Sequence, residues 1–451
     1  MSAFIVFFGR GGSSDLERQL DKVKIAIGGV VLARAGQAGF SRLYGVTNDE
    51  EAAAAFRATG AAILPARTEP FHFGQELSRI VHEKKLDRVC TIGAGAGALL
   101  TAQDLQGLRE DLESSEAVVL SNNSYSADLV AFTPASALDA IDLPATDNPL
   151  PRRLHQEAGL SSRQMEKSAA SLLDVDTPTD AALLARHPRC PAELRDLPAW
   201  QDDLGGRIDA LMRIVTTPDK ELLVAGRVGA PVWTFIESQT ACRVRMLAEE
   251  RGMQAAGRDT SGEARSALGF LYELVGPREF FAKMGELGDG MLFDMLVLFA
   301  HLGWRPQAEE RFASYLFKAE RIATKPLREF TEAARDAPFP LLLGGHTLVS
   351  GAFWTMVEAA WAGQSAPDCS ITTSTATAPT ARCRSRAGRR VSRSGRTACP
   401  TTIPGGTSCG PRTTSSDTSR TPQGSVCALG SSTTSASRRR SRPIFGRRST
   451  T

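Results

Sequence analysis

The sequence predicts an α/β protein. A Rossmann-like, mostly parallel sheet with helices on both faces spans residues 1–195, a largely α-helical domain spans 205–363, and a disordered tail covers 365–451. Three observations carry this. Short apolar runs alternate with helix-periodic segments in the first part, which is the pattern of a parallel sheet built from crossover units. The segments after residue 205 carry apolar residues at helical spacing. The composition then breaks abruptly after Gln364.

Phe4 to Phe8 is an apolar run short enough for a buried strand, and it ends in Gly9-Arg-Gly-Gly-Ser-Ser14. Backbone N–H groups of such a glycine-rich turn can cradle phosphate, and the turn reads equally as an ordinary strand-to-helix connection. Arg18 and Lys22 lie on the helical segment that follows. Arg42 to Val46 is the second strand, leading through Asn48 and Asp49 to an Ala-rich helix from Glu50 to Thr59. Ala61 to Leu64 is a third strand and Gly74 to Lys84 a helix. Arg88 to Ile92 runs into Gly93-Ala-Gly-Ala-Gly-Ala98, then a helix from Ala102 opens after Thr101, a capping residue. The glycine spacing formally satisfies the dinucleotide fingerprint, but the next strand, Ala117 to Leu120, ends in Ser121-Asn122-Asn123 without the acid that binds a ribose. Leu129 to Phe132 continues the sheet. In such sheets ligands bind at the carboxyl ends of the strands.

Asp174-Val-Asp-Thr-Pro-Thr-Asp180 follows the apolar run Ala169 to Leu173. Asp174 and Asp176, two apart on extended chain, point to one side. Thr177 reads as an N-cap and Pro178 as a first-turn proline, which places the acids beside the positive end of a helix. Hard oxygen ligands suit magnesium, which keeps several waters and shares its remaining sites with phosphates. The same residues also read as plain helix capping with exposed acids.

In the second region, Trp233 to Glu250, Arg265 to Val275, Arg278 to Glu286 and Met291 to His301 carry helical spacing, broken by Gly-Pro, Gly-Asp-Gly and Arg-Pro. Arg227, Arg243, Arg245, Arg251, Arg258 and Arg265 either grip an anionic substrate or pair with nearby acids. His346, in Gly344-Gly-His-Thr347, is the one histidine in a suggestive loop, and a structural role is the simpler reading.

The formal net charge of +3 describes neither part of the chain. From Cys369 onward there are 16 Ser, 17 Thr and 15 Arg, one Asp, and no Lys or Glu, so the tail carries +14 and the first 368 residues −11. A segment so poor in aliphatic residues cannot offset its ordering entropy. The loss of Lys and the five cysteines in the tail fit a GC-rich gene read in the wrong frame, against the alternatives of a functional basic tail or a linker. Cys90, Cys190 and Cys242, widely separated and odd in number, fit a reduced, cytoplasmic protein. No stretch approaches the roughly 20 apolar residues of a membrane span.

The order of these motifs, with Leu99-Leu100-Thr101 and Gln103-Asp104-Leu105 between them, resembles the GT-A-like nucleotidyltransferase superfamily. It looks closest to the 2-phospho-lactate and molybdenum-cofactor guanylyltransferases, over about residues 3–190. The resemblance implies that Gly9, Arg10, Gly11 and Gly12 hold a nucleoside triphosphate, with Lys22 and Arg18 neutralising it. It puts Asn122 and Asn123 near the base or acceptor, and Asp176, helped by Asp174, on Mg²⁺. The implied reaction is attack by a small phosphorylated acceptor on the α-phosphate, with release of pyrophosphate. The chain departs from the pattern in two places. The turn that usually supplies a further metal-binding acid reads Gly95-Ala96-Gly97-Ala98, and the basic residues come late after the first loop. The alternative is a catalytically inactive nucleotide-binding sensor or scaffold on the same fold. No membrane partner is expected, and nucleic acid enters only if the basic tail is genuine.

Overall fold

The computed structural model describes residues 2–362, apart from Asp196, Pro198 and Ala199. The tail from 365, with its frameshift reading, lies outside the described residues. Two sheets organise the described residues, each built from short, mostly buried strands with an exposed edge strand, Ser161–Gln164 in the first and Arg243–Ala248 in the second.

The first sheet contains β1 (Ser2–Phe7), β2 (Arg42–Val46), β3 (Ala62–Leu64), β4 (Arg88–Gly93), β5 (Val118–Ser121), β6 (Leu129–Thr133) and β7 (Ser161–Gln164), in the order β3-β2-β1-β4-β6-β5-β7. All neighbours are parallel except β6, which runs antiparallel to both β4 and β5. Alternation along β1 explains why both faces are covered. Phe4 and Val6 point into one apolar core, Ala3 and Ile5 into another. The first core takes α1 (Asp15–Gln37), α2 (Glu50–Ala58) and α4 (Ala102–Ser114); the second takes α3 (Phe73–Lys84) and α5 (Leu150–Gln156). This is the α/β architecture expected of the sequence, with helices on both faces of a mostly parallel sheet.

Past β7 the chain makes α6 (Ala169–Leu172), α7 (Pro178–Arg186), α8 (Ala192–Arg195) and α9 (Gln201–Val215). The apolar run before Asp174 is therefore one helical turn capped by Ser168, and extended backbone begins only after it. The later region is largely helical, with α10 (Ala230–Gln239), α11 (Arg258–Ser261), α12 (Ala267–Gly285), α13 (Leu296–Leu302), α14 (Ala308–Tyr315), α15 (Lys325–Arg335) and α16 (Gly351–Ala362). Its centre is a second sheet of four parallel strands, β8 (Glu221–Gly226), β9 (Arg243–Ala248), β10 (Gly290–Asp294) and β11 (Leu341–Gly344), ordered β11-β10-β8-β9. Two of these strands correct the helical reading of Trp233 to Glu250 and of Met291 to His301. Short apolar runs such as Met291-Leu-Phe do not distinguish a buried strand from a buried helix by periodicity. The break expected at Gly276-Pro277 is a kink inside α12, where Gly276 has φ of +77°.

The two sheets share one core that runs from Phe4 to Phe353. Thr179 of α7 donates to the Leu343 carbonyl of β11 at 2.7 Å, and Glu358 of α16 accepts from the first amide of α6, Ala169 N, at 3.0 Å. Among the described residues no helix is long and apolar enough to cross a membrane.

Candidate functional site

The carboxyl ends of β1, β2 and β4 border a cavity of about 760 Å³. Gly9, Arg10, Asp49 and the rings of Phe71 and Phe73 line it. The space beside Gly9, where a side chain would stand, is open. Arg10 forms an ion pair with Asp49, which in turn caps α2 by accepting from Ala52 N at 2.9 Å. The rest of the glycine loop closes on two acids of α1. Gly11 N donates to Asp21 Oδ1 at 3.3 Å and Ser14 N to Glu17 Oε2 at 3.3 Å, while an added side chain at Gly12 would overlap the Glu17 carboxylate.

The cations of α1 are arranged differently from the sequence expectation. Arg18 is exposed and folds back on the Ser13 carbonyl, and Lys22 is exposed. Lys24 stands where Lys22 was expected, its Nζ 3.0 Å from Asp176 Oδ1. The reason is helical phase: two residues turn the side chain by roughly 200°, from solvent to the acids.

Asp174 to Thr177 is extended, so Asp174 and Asp176 share a side and Val175 is fully buried on the other. The capping reading of this motif holds. Thr177 and Asp180 form a capping box, Thr177 N to Asp180 Oδ2 at 2.9 Å and Thr177 Oγ1 to the same oxygen at 2.8 Å, with Pro178 in the first turn. Capping thus uses Asp180 and leaves Asp174 and Asp176 free for other work. Asp174 pairs its backbone with Ala96, and its Oδ1 would lie 2.5 Å from a Cβ at position 95. The glycine spacing at 93–98 therefore makes room for a carboxylate of the protein itself.

Asn122 is buried and fully engaged. Its Nδ2 donates to Asp128 Oδ2 and to the Ser171 carbonyl, each at 3.0 Å, and its Oδ1 accepts from the amides of Asp128 and Leu129 at 3.1 and 3.2 Å. It holds Asp128 in place at the mouth of β6. Asn122 and Asn123 line a second cavity, and the Asn123 Oδ1 accepts from Tyr125 N at 3.0 Å. Asp128, Asp147, Asp174 and Asp176 consequently face one space.

Burial, then the neighbouring Asp176 and Asp128, pushes the Asp174 carboxyl well above the usual range. Burial and Asp147 raise Asp128 to about 7. Asp176 goes the other way, held low chiefly by the Lys24 ammonium and also by a hydrogen bond with Asp174. Burial works against the Lys24 charge, but Asp176 and Asp174 outweigh it and raise its pKa. The Asp176 side chain is 57 % exposed because it forms the floor of an open cleft.

That cleft, about 650 Å³, is closed on its far side by the second sheet. Asp147 lines both cavities, so the two adjoin there. β8 pairs with β9 on one side and β10 on the other, which makes the gap between the ends of β8 and β10 the switch point of that sheet. Arg227, just past β8, and Asp294, the last residue of β10, bridge it with Nε to Oδ2 at 2.6 Å and Nη2 to Oδ1 at 3.1 Å. Gly226 has φ of +127°, and the Asp294 side chain fills the place of its missing Cβ. Other arginines of the set also pair with acids, Arg245 with Glu221 at 2.9 Å and Arg258 with Glu250 at 2.8 Å. His346 lines the cleft, and its Nδ1 is buried without a partner among the described residues. Lys24, Asp147, Tyr315 and Arg311 went unrecognised in the sequence. The one available signal was a charge, Asp294, at the end of an apolar run.

No known family's sequence profile and no curated protein matches the chain. Solved structures with similarity include a protein from Desulfovibrio desulfuricans assigned as a nucleotide-diphospho-sugar transferase, at 17 % identity, TM-score 0.32, over 47 % of this chain and 96 % of that one. A cytidylyltransferase from Leptospira borgpetersenii aligns at 14 % identity and TM-score 0.34, over 45 % and 93 %. A CMP:2-keto-3-deoxy-manno-octonic acid synthetase, solved with CTP, aligns at 18 % identity and TM-score 0.29, over 40 % and 94 %. Each spans less than half of this chain.

Proposed function

We propose that the chain is a magnesium-dependent nucleotidyltransferase that moves a nucleoside monophosphate from a triphosphate to a small phosphorylated acceptor, releasing pyrophosphate. The observation that carries this reading is the contact of Lys24 with Asp176 on the floor of the second cavity, with the glycine loop on the first and Asp147 bordering both. The first cavity has an aromatic wall for a base and a glycine loop for phosphates. The second has room for an acceptor.

The donor set fits magnesium. Asp174 and Asp128 sit beside the charged Asp176 in an environment that disfavours their own ionisation, and a divalent cation would relieve it. Among the described residues no three acid, His or Cys side chains surround one point. Magnesium needs only one or two carboxylates when phosphates and water complete its shell, and Asp176 and Asp174 would supply them. When bound, the ion stabilises charge on the phosphate oxygens. Lys24 adds a fixed positive charge beside the same oxygens, which is worth most where charge develops in the transition state. A triphosphate at Gly11 takes over the amide that Asp21 now occupies. Asn122 keeps Asp128 oriented, and Asp180 fixes the backbone of Asp176 by accepting from its amide at 3.2 Å.

The missing third metal-binding acid specifically favours a second reading, a nucleotide-binding sensor without turnover. Pyrophosphate release, measured with each triphosphate, Mg²⁺ and a panel of phosphorylated acceptors, separates the two. Turnover that Asp176→Asn abolishes supports the transferase. Saturable triphosphate binding with no pyrophosphate from any acceptor supports the sensor, and turnover unchanged in Asp176→Asn removes that carboxylate from the mechanism.

A further inference from the structure

The wall of the cleft opposite Asp176 is chemically unlike its floor. The floor is acidic; the wall, carried by the carboxyl edge of the second sheet and by α14, presents cations and hydrogen-bond donors. Arg311 lines the cleft with its guanidinium 5.4 Å from the Phe312 ring centroid, and it forms no ion pair among the described residues. Tyr315, one turn further along α14, is 1 % exposed and also lines the cleft. Its hydroxyl has no hydrogen-bond partner among the described residues. The ring is buried and the hydroxyl opens on the cleft, where it is available as a donor to a ligand. His346 Nδ1, in the same wall, is buried without a partner among the described residues. Arg227 stands behind them, already bound to Asp294, with Nη1 directed to Gln254 at 3.1 Å. Phe299 and Trp304 add apolar surface beside these groups.

Three unsatisfied or uncommitted polar groups converge on a space at the switch point of a parallel sheet, where such sheets bind ligands. Carboxylates already line the floor, so a cationic ligand would find no reason for Arg311, and a neutral one would leave it unpaired. We infer that Arg311, Tyr315 and His346 form the subsite for the terminal oxyanion, phosphate or carboxylate, of the small molecule that occupies the cleft. On the transferase reading, from which only the word acceptor is taken, that molecule is the acceptor: its anionic end lies on the second sheet and its reacting end toward Asp176. Phe299 and Trp304 pack against its carbon body. The second sheet is thereby a substrate-selecting part of the site.

Inorganic phosphate and acetate are the probes, titrated calorimetrically into the full chain with a non-hydrolysable triphosphate and Mg²⁺ present in excess, so that the phosphate sites of the first cavity are filled. One saturable site is expected for the better of the two probes, and which one binds tells phosphate from carboxylate. Arg311→Gln should weaken it about ten- to a hundredfold, the scale of a charge-assisted hydrogen bond, and Tyr315→Phe by several-fold. Tyr315→Phe removes a hydroxyl and keeps the buried ring, so it reports even if Arg311→Gln folds poorly. Triphosphate affinity, titrated separately, should be unchanged in both. No saturable binding of either probe, or binding that is unaltered in both variants, overturns the subsite. If the triphosphate itself fails to bind while the anion binds and is lost in the variants, the transferase reading falls and the subsite stands.

Discussion

Lys24 shows how one side chain can decide a site. Its ammonium touches Asp176 in a cleft where the carboxylate is still reached by water. Lys24→Met therefore leaves Asp176 solvated rather than stranded, and the fold should tolerate the change. On the proposed transferase reading the charge it removes is the one beside the transferring phosphate, so pyrophosphate release should fall on the order of 10²- to 10³-fold. Lys22→Met, on the exposed side of the same helix, should stay within about twofold, as surface substitutions usually do. Steady-state rates of the two variants side by side settle the assignment, and equal losses in both would refute it. Sequence alone could not choose between them, because both lysines follow the glycine loop and only the helical phase of α1 against β4 and α7 separates them. The acid motif was more legible. Alternation put Asp174 and Asp176 on one side and capping chemistry identified Thr177 and Pro178, both local rules that tertiary packing left intact.

At the scale of elements, the strands of the first sheet could be read to within a residue or two because each apolar run is bounded by turn residues. Ser161–Gln164 could not, since it is an exposed edge strand with no apolar residue to announce it. The second sheet was hidden for the opposite reason: Leu222 to Ala225 and Leu341 to Leu343 are buried on both faces and carry no alternation. Its connecting loops are held instead by ion pairs, and one gives a pH dependence. Glu250, with φ of +48°, accepts from Arg258 Nε and Nη2 at 2.8 Å each and from Arg265 N at 3.1 Å. The Arg258 hydrogen bonds lower its pKa from 4.5 to about 2, against the effect of burial. A depressed carboxylate pKa stabilises the folded loop above the unfolded value, and that contribution is lost as pH falls from about 4.5 toward 2. The hydrogen-exchange protection factor of the Arg265 amide should drop across that window in the wild type. Glu250→Gln should show low protection throughout, and a flat wild-type profile would show that the ion pair does not hold the loop.

Across the whole molecule the two sheets cannot be treated as separate folding units, although a boundary near residues 195–205 is where the sequence changes character. α7 is encoded with the first sheet, yet its Thr179 bonds to β11, and Ala181, Leu183 and Leu184 are buried in the core that continues to Phe353. α16, the last described element, packs against α6, α7 and α9. An added Cβ on Gly351 would overlap the Leu172 carbonyl, so the two helices meet backbone to backbone. Separating the halves would expose those faces at roughly 25 cal/mol for each Å² of apolar surface, a cost that a domain of ordinary marginal stability does not survive. Heating residues 1–362 should accordingly give one cooperative transition, with calorimetric and van't Hoff enthalpies in agreement. A fragment of residues 1–195 should lose near-ultraviolet dichroism and bind a hydrophobic dye. Two resolved transitions, or a fragment with a dispersed amide spectrum, would separate the halves. The same continuity bears on catalysis, because Asp176 and Arg311 line one cleft from opposite sides of the shared core, and a fragment that kept the glycine loop would still lack half of the site.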